Sequence, residues 1–169
     1  MHQEINNTTT SLLWNKNNQV PSIGFIGELH PRKGVHVLLD AIQSVKSSCD
    51  VILIGNGDPN YTEQLKLQAK SAPHMVHFLG FREDVLSFYP KLDIVVLPSL
   101  SYESFGMVIV EAMHYGKPVI CSDFGGMKEV VEQGVTGLVV PVGDSTALAK
   151  AIERLMQDDD LRLMMGRAG

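Results

Sequence analysis

The fold class predicted is α/β: a doubly wound, Rossmann-like parallel sheet of about six strands in a three-layer α/β/α sandwich. Three observations predict it. Short, nearly uninterrupted apolar runs rich in β-branched residues recur along the chain, as strands buried on both faces should. Helical patterns stand between them. Residues able to do chemistry gather just after the runs, where ligands bind in such sheets.

The elements follow in order. Residues 1–20 are polar and rich in Asn and Thr, with an apolar knot at Leu12, Leu13 and Trp14 that can pack on a domain. They read as a tail or linker, and residues 21–169 as one domain. The strand candidates are Ile23–Gly27, Val51–Ile54, Val76–Leu79, Ile94–Leu97, Val119–Cys121 and Leu138–Val140. Helical spacing links Val35, Leu38, Leu39, Ile42 and Val45. It links Leu65 with Ala69, then Val108, Ile109, Ala112 and Met113, and finally Leu148, Ile152, Leu155 and Met156. Asp144 reads as a helix N-cap, and Asp158 to Asp160 as the start of the last helix. Six such strands suggest the order 3-2-1-4-5-6.

Composition narrows the function. Of 169 residues 44% are apolar and 20% charged, which suits a globular domain. A net charge of −5 argues against a general nucleic-acid binder, which needs clustered Lys and Arg. Cys49 and Cys121 lack metal-ligand spacing and read as buried, reduced thiols. The six histidines form no metal motif, and His114 reads as a packed residue on an apolar helix. With no secretory leader pattern and no apolar run of membrane-spanning length, the expected location is the cytoplasm, and membrane contact is not indicated.

The chemistry-bearing candidates follow the strands. After the first comes Gly27-Glu28-Leu29-His30-Pro31-Arg32-Lys33-Gly34, placing two cations at a helix N-terminus. Cations there oppose the helix dipole, so either they face an anion or they are solvated loop charges. Gly55-Asn56-Gly57 after the second strand is half a dinucleotide fingerprint, and an ordinary tight turn explains it as well. After the third, Gly80 permits close backbone approach, and Phe81 or Arg82 could lie against a base. After the fourth, Glu103 sits in a loop, Gly106 opens a helix, and Glu111 lies about two turns inside it. Val-Ile-Val precedes Glu111 and Ala-Met follows, so its carboxylate needs a partner. Vicinal ribose hydroxyls are one partner; a structural donor such as Lys117 is another. Free N–H groups near Phe105, Gly106, Met107 and Val108 can take a phosphate and hydroxyls. Gly125-Gly126 after the fifth strand admits a sugar or makes a flexible turn.

Together these segments resemble the C-terminal domain of family 4 (group 1) retaining glycosyltransferases of GT-B architecture, from about Ile23 to Arg167. The strongest element is the E-x7-E signature, met by Glu103 and Glu111. Pro98-Ser99, Gly116-Lys117-Pro118, Gly125-Gly126 with Glu129, and Gly134-Val135-Thr136-Gly137-Leu138 accompany it in order. The resemblance implies that residues 21–169 bind a nucleoside-diphosphate sugar for retaining transfer to an acceptor hydroxyl. It implies that Glu111 holds the ribose, that Glu103 stands near the anomeric region, and that Lys33, with Arg32, neutralises the diphosphate. Backbone amides of Phe105 and Gly106 would meet sugar hydroxyls, and those of Met107 and Val108 the diphosphate. Gly80, Phe81 and Arg82 would form the base loop. No metal or other cofactor is implied.

Two departures stand out. Glu28 occupies the place where many members carry a diphosphate-binding Arg, and the family's N-terminal acceptor-binding domain is not found in this chain. The chain alone is therefore expected to be inactive in transfer. A non-catalytic nucleotide-sugar-binding module and a GT-B-like epimerase are the competing readings. A nicotinamide-dependent dehydrogenase is disfavoured by the missing first-strand glycine fingerprint.

Overall fold

A computed structural model describes residues 14–16, 19–101 and 106–169. The described residues form strands β1 (Ser22–Ile26), β2 (Asp50–Ile54), β3 (Met75–Gly80), β4 (Ile94–Leu97), β5 (Val119–Ser122) and β6 (Gly137–Val140). The helices are α1 (Val35–Ile42), α2 (Pro59–Ala69), α3 (Met107–His114), α4 (Met127–Val130), α5 (Ser145–Gln157) and α6 (Asp159–Ala168). The sheet order is β3-β2-β1-β4-β5-β6 and every pairing is parallel, which is the order the strand count suggested.

The period of two along each strand divides the core between the two faces. Ile23, Phe25, Val51, Leu53, Ile94, Val96, Ile120, Leu138 and Val140 pack with α1, α5, Leu65 of α2 and Met165 of α6. Ile26, Ile52, Ile54, Val95, Leu97, Val119 and Cys121 pack on the other face with Ile109 and Ala112 of α3, Met127, Phe88, Tyr89 and Trp14. Apolar residues therefore fill successive positions of each central strand, which is why these strands read as unbroken runs. β3 departs from that picture. It is an edge strand, and only Leu79 along it is fully buried.

Helices start at Asp144 and Asp158 as the sequence reading places them, and Asp58 adds a cap it did not name. The Asp58 carboxylate accepts from Tyr61 N, Asp144 from Ala147 N and Asp158 from Leu161 N, which start α2, α5 and α6. Three expectations are corrected. α1 ends at Ile42, and Val45 is buried in the loop beyond it. The cations Arg32 and Lys33 lie in a separate 3₁₀ turn, Pro31–Lys33, so Gly34 and not Lys33 stands at the entrance to α1. His114 is exposed and lies edge-on to Tyr115. It sits five residues after Ile109, about 140° around the helix from that buried side chain. Of the segment 1–20, Trp14 packs into the core and Lys16 pairs with Asp93 at 2.5 Å. Leu12 and Leu13 lie outside the described residues.

Candidate functional site

At the carboxyl edge of the sheet, four consecutive loops are laced together by hydrogen bonds in sheet order. From the β3 end, Phe81 N donates to Asn56 Oδ1 at 3.0 Å, and Gly55 N donates to Gly80 O at 2.8 Å. From the β2 loop, Asn56 O accepts from Leu29 N at 2.9 Å. From the β1 loop, Arg32 O accepts from Leu100 N at 2.7 Å, and Leu100 lies on the loop after β4. This last link spans the point where the strand order reverses, between β1 and β4, and α/β sheets place ligands at such a point.

Gly34 makes that link tight. Its φ is 71°, and a Cβ there would lie 1.9 Å from the Pro98 carbonyl oxygen. The turn carrying Arg32 and Lys33 is thereby pressed against the loop that leads to α3. Gly34→Ala is expected to cost at least ~2 kcal/mol from the left-handed backbone and the backbone collision. The melting temperature should then fall by roughly 4–8 °C. An unchanged melting temperature would show that the two loops separate freely.

Two cations share that turn. Arg32 Nη2 pairs with Glu28 Oε2 at 2.8 Å, with both side chains partly exposed. Glu28, the departure from the family pattern, thus holds Arg32 beside the end of β1. Lys33 follows directly, in the last turn before Gly34.

The base-loop candidates are Gly80, Phe81 and Arg82. Gly80 ends β3, and Phe81 exposes 68% of its surface while its backbone is pinned by Asn56. The Arg82 guanidinium binds Asp84 through two exposed contacts of 2.8 and 3.0 Å and lies 5.4 Å from the Phe88 ring. Phe81 supplies the exposed aromatic face of this loop.

Gly106, in a left-handed conformation with φ 53°, caps α3 without offering a side chain. Among the described residues, the first-turn N–H groups of Met107 and Val108 thus meet no side-chain cap, the condition under which a helix N-terminus receives an anion. Glu103 and Phe105 lie outside the described residues. Glu111 is the fifth residue of α3, nearer the N-terminus than the two turns expected. Its Oε2 accepts from the Tyr89 hydroxyl at 2.5 Å. The structural donor is therefore Tyr89 and not Lys117, whose Nζ donates to the Pro90 carbonyl at 3.0 Å. Burial and the neighbouring Glu111 carboxylate push the Tyr89 phenol well above its ordinary range, so it stays protonated and donates. A carboxylate accepts about four hydrogen bonds, so Glu111 keeps capacity for two vicinal hydroxyls. No sequence signal pointed to Tyr89 or to the side-chain role of Asn56, because both act through tertiary contacts more than 20 positions away.

Gly125, with φ 58°, and Gly126 lead into the four-residue helix α4, where the sequence allowed a flexible turn. Cys49 and Cys121 are buried and unbonded, and burial pushes both thiols up to about 12, which removes them as nucleophiles. A shallow cleft of about 510 Å³ is lined by Lys150, Glu153, Arg154, Gln157 and Asp158. Glu153 there accepts from Lys46 N and Ser47 N, in the loop that enters β2, so this cleft belongs to the opposite edge of the sheet. Among the described residues, no three His, Cys, Asp or Glu side chains gather as a metal site, and no helix is long and apolar enough to cross a membrane.

Known proteins share this fold. The chain is 39% identical over 151 residues to a phosphatidyl-myo-inositol mannosyltransferase of Mycobacterium leprae, covering 86% of this chain and 40% of that protein. It is 34% identical to Anabaena HepE, solved in complex with UDP-glucose, with a TM-score of 0.84 over 88% of this chain and 42% of that one. A crystallised C-terminal domain of a Francisella tularensis glycosyl transferase shares the fold, with a TM-score of 0.74 at 24% identity, and this chain covers 84% of it. The chain spans about two-fifths of the length of the curated relatives it matches. The family model for glycosyl transferases group 1 matches residues 11–169, and the chain belongs to that family.

Proposed function

We propose that this chain is the donor-binding half of a retaining, metal-independent glycosyltransferase, and that it holds a nucleoside-diphosphate sugar at the carboxyl edge of its sheet. The observation that carries the reading is the Leu100 N to Arg32 O hydrogen bond, with Gly34 pressed on Pro98. It brings the basic turn to the loop that opens α3, so one diphosphate can meet a lysine and a helix N-terminus together. Both favour the charge that develops on a departing diphosphate, the role a divalent cation fills in other transferases. Phe81 offers a face to the base, Glu111 takes the ribose hydroxyls, and the role left to Glu103 is at the sugar. The UDP-glucose held by the Anabaena relative makes uridine the first base to try.

Lys33 gives the sharpest test. Lys33→Ala should weaken a nucleoside diphosphate by the ~1.5–3 kcal/mol of a charge-assisted hydrogen bond. The bare nucleoside should be nearly unaffected. Calorimetry on both ligands decides it. Equal weakening of the two would mean that Lys33 supports the loop and does not meet the phosphate.

The ion pair between Glu28 and Arg32 favours a subsidiary role for Arg32. Glu28 draws the guanidinium to the end of β1, where the family's usual arginine would begin, and an exposed pair of this kind costs little to open.

A further inference from the structure

The turn that carries Tyr89 touches the far end of the site through a different set of contacts from the loop lacing. Tyr89 opens another 3₁₀ turn, Tyr89–Lys91, and is fully buried. Its hydroxyl donates to Glu111 Oε2 at 2.5 Å. Its ring stacks on Tyr115, just past α3, with centroids 5.4 Å apart and planes within 3°. The next residue, Pro90, accepts from Lys117 Nζ. Three residues on or just past α3, namely Glu111, Tyr115 and Lys117, therefore grip one turn. On its other side the turn adjoins Phe88, over which lies Arg82 of the β3 loop. The turn thus connects the loop proposed to face the base with the carboxylate proposed to face the ribose.

A glutamate on a helix surface has three rotatable bonds, and a carboxylate left to swing loses ordering entropy each time a ligand binds. Contact with a buried, stacked phenol removes that freedom in advance. The Tyr89 ring cannot pivot without breaking its stack on Tyr115.

We propose that Tyr89 is a positioning residue: its hydroxyl holds the Glu111 carboxylate in place and thereby sets the preference of the site for ribose over sugars lacking the vicinal hydroxyls. The proposal rests on the reading that Glu111 binds the ribose, and the experiment separates the two. Tyr89→Phe keeps the ring and its stack and removes only the donor. Should that variant fail to fold, Tyr115→Leu is the second: it leaves the Tyr89 hydroxyl in place, frees the ring from its stack and should shrink the same dideoxy-to-ribo ratio, an unchanged ratio counting against the positioning role. The probes are UDP, GDP and ADP with their 2′,3′-dideoxy counterparts, and the quantity read is the ratio of dideoxy to ribo dissociation constants.

In the unsubstituted chain the ratio should favour ribose for at least one base. Tyr89→Phe should shrink it about three- to tenfold, a fraction of the strength of a hydrogen bond to a charged group. The dideoxy affinity itself should hardly move. On a Glu111→Ala background, where the ratio is already near one, Tyr89→Phe should change nothing. If Glu111→Ala collapses the ratio while Tyr89→Phe leaves it intact, the positioning role is wrong and the ribose role stands. If Tyr89→Phe weakens ribo and dideoxy ligands equally, Tyr89 serves the fold alone. If Glu111→Ala leaves the ratio unchanged, or no nucleotide binds, the ribose reading fails and the proposal with it.

Discussion

Assayed alone with its matched donor and acceptor, the 169-residue chain is expected to bind the donor and to show no measurable transfer. Binding is expected because the proposed phosphate, base and ribose contacts are all carried by its own laced loops and α3. Transfer needs more: an acceptor hydroxyl held against the anomeric carbon, and a cleft that excludes water. In the relatives, about three-fifths of the chain lies beyond the region matched here. Positioning of this kind accounts for roughly 7–11 kcal/mol of a barrier, a rate effect of about five to eight orders of magnitude. No single residue described above can supply that. The check is a product assay on the isolated chain, repeated at increasing protein concentration. Robust turnover would contradict the half-enzyme reading, and turnover that rises steeply with concentration would assign the missing wall to a second copy.

Glu111→Ala should have the next largest effect, and on two quantities at once. Losing about two charge-assisted hydrogen bonds to ribose, each worth roughly 1.5–3 kcal/mol, should weaken nucleoside diphosphates at least about tenfold. The same substitution strips the buried Tyr89 hydroxyl of its acceptor. An orphaned buried donor costs about 1–3 kcal/mol, so the variant should also melt lower. Glu111→Gln separates the two effects. Its amide oxygen still accepts from Tyr89, so stability should largely return, while the lost charge should still weaken ribose binding. Calorimetry and thermal unfolding on both variants read this out. A destabilised Glu111→Ala that binds nucleotide as tightly as the unsubstituted chain would confine Glu111 to holding Tyr89.

The scaffold was legible because parallel strands buried on both faces write themselves as apolar runs. Strand ends fall within one residue of the runs, and the sheet order follows from the strand count. The edge strand β3 blurs at its exposed start, where Met75 lies one residue before the apolar run and faces solvent. Glu111 was legible from its own surroundings, a carboxylate set among Val, Ile, Ala and Met. Its donor was not. Tyr89 meets it only because the Tyr89–Lys91 turn folds under α3, while Lys117, nearer in sequence, turns to a carbonyl. The lacing of the loops was equally silent, since it runs mainly through backbone groups, and any residue carries those. The exceptions are glycines demanded by a close approach, Gly34 against Pro98, Gly55 against Gly27 and Gly57 against Leu29, and the sequence shows the glycines without showing what approaches.

The most direct measurement is calorimetric titration of the chain with UDP, GDP, ADP and their sugars, in the presence and absence of a chelator. Amide-resolved chemical shifts then map the bound ligand. The account predicts that at least one of these ligands binds with the same affinity in both conditions. The perturbed amides should cluster at Phe81, Arg32–Lys33 and the start of α3. Binding that disappears with chelator would contradict the metal-free site. Perturbations centred on the cleft lined by Glu153 and Arg154 would contradict its placement at the carboxyl edge.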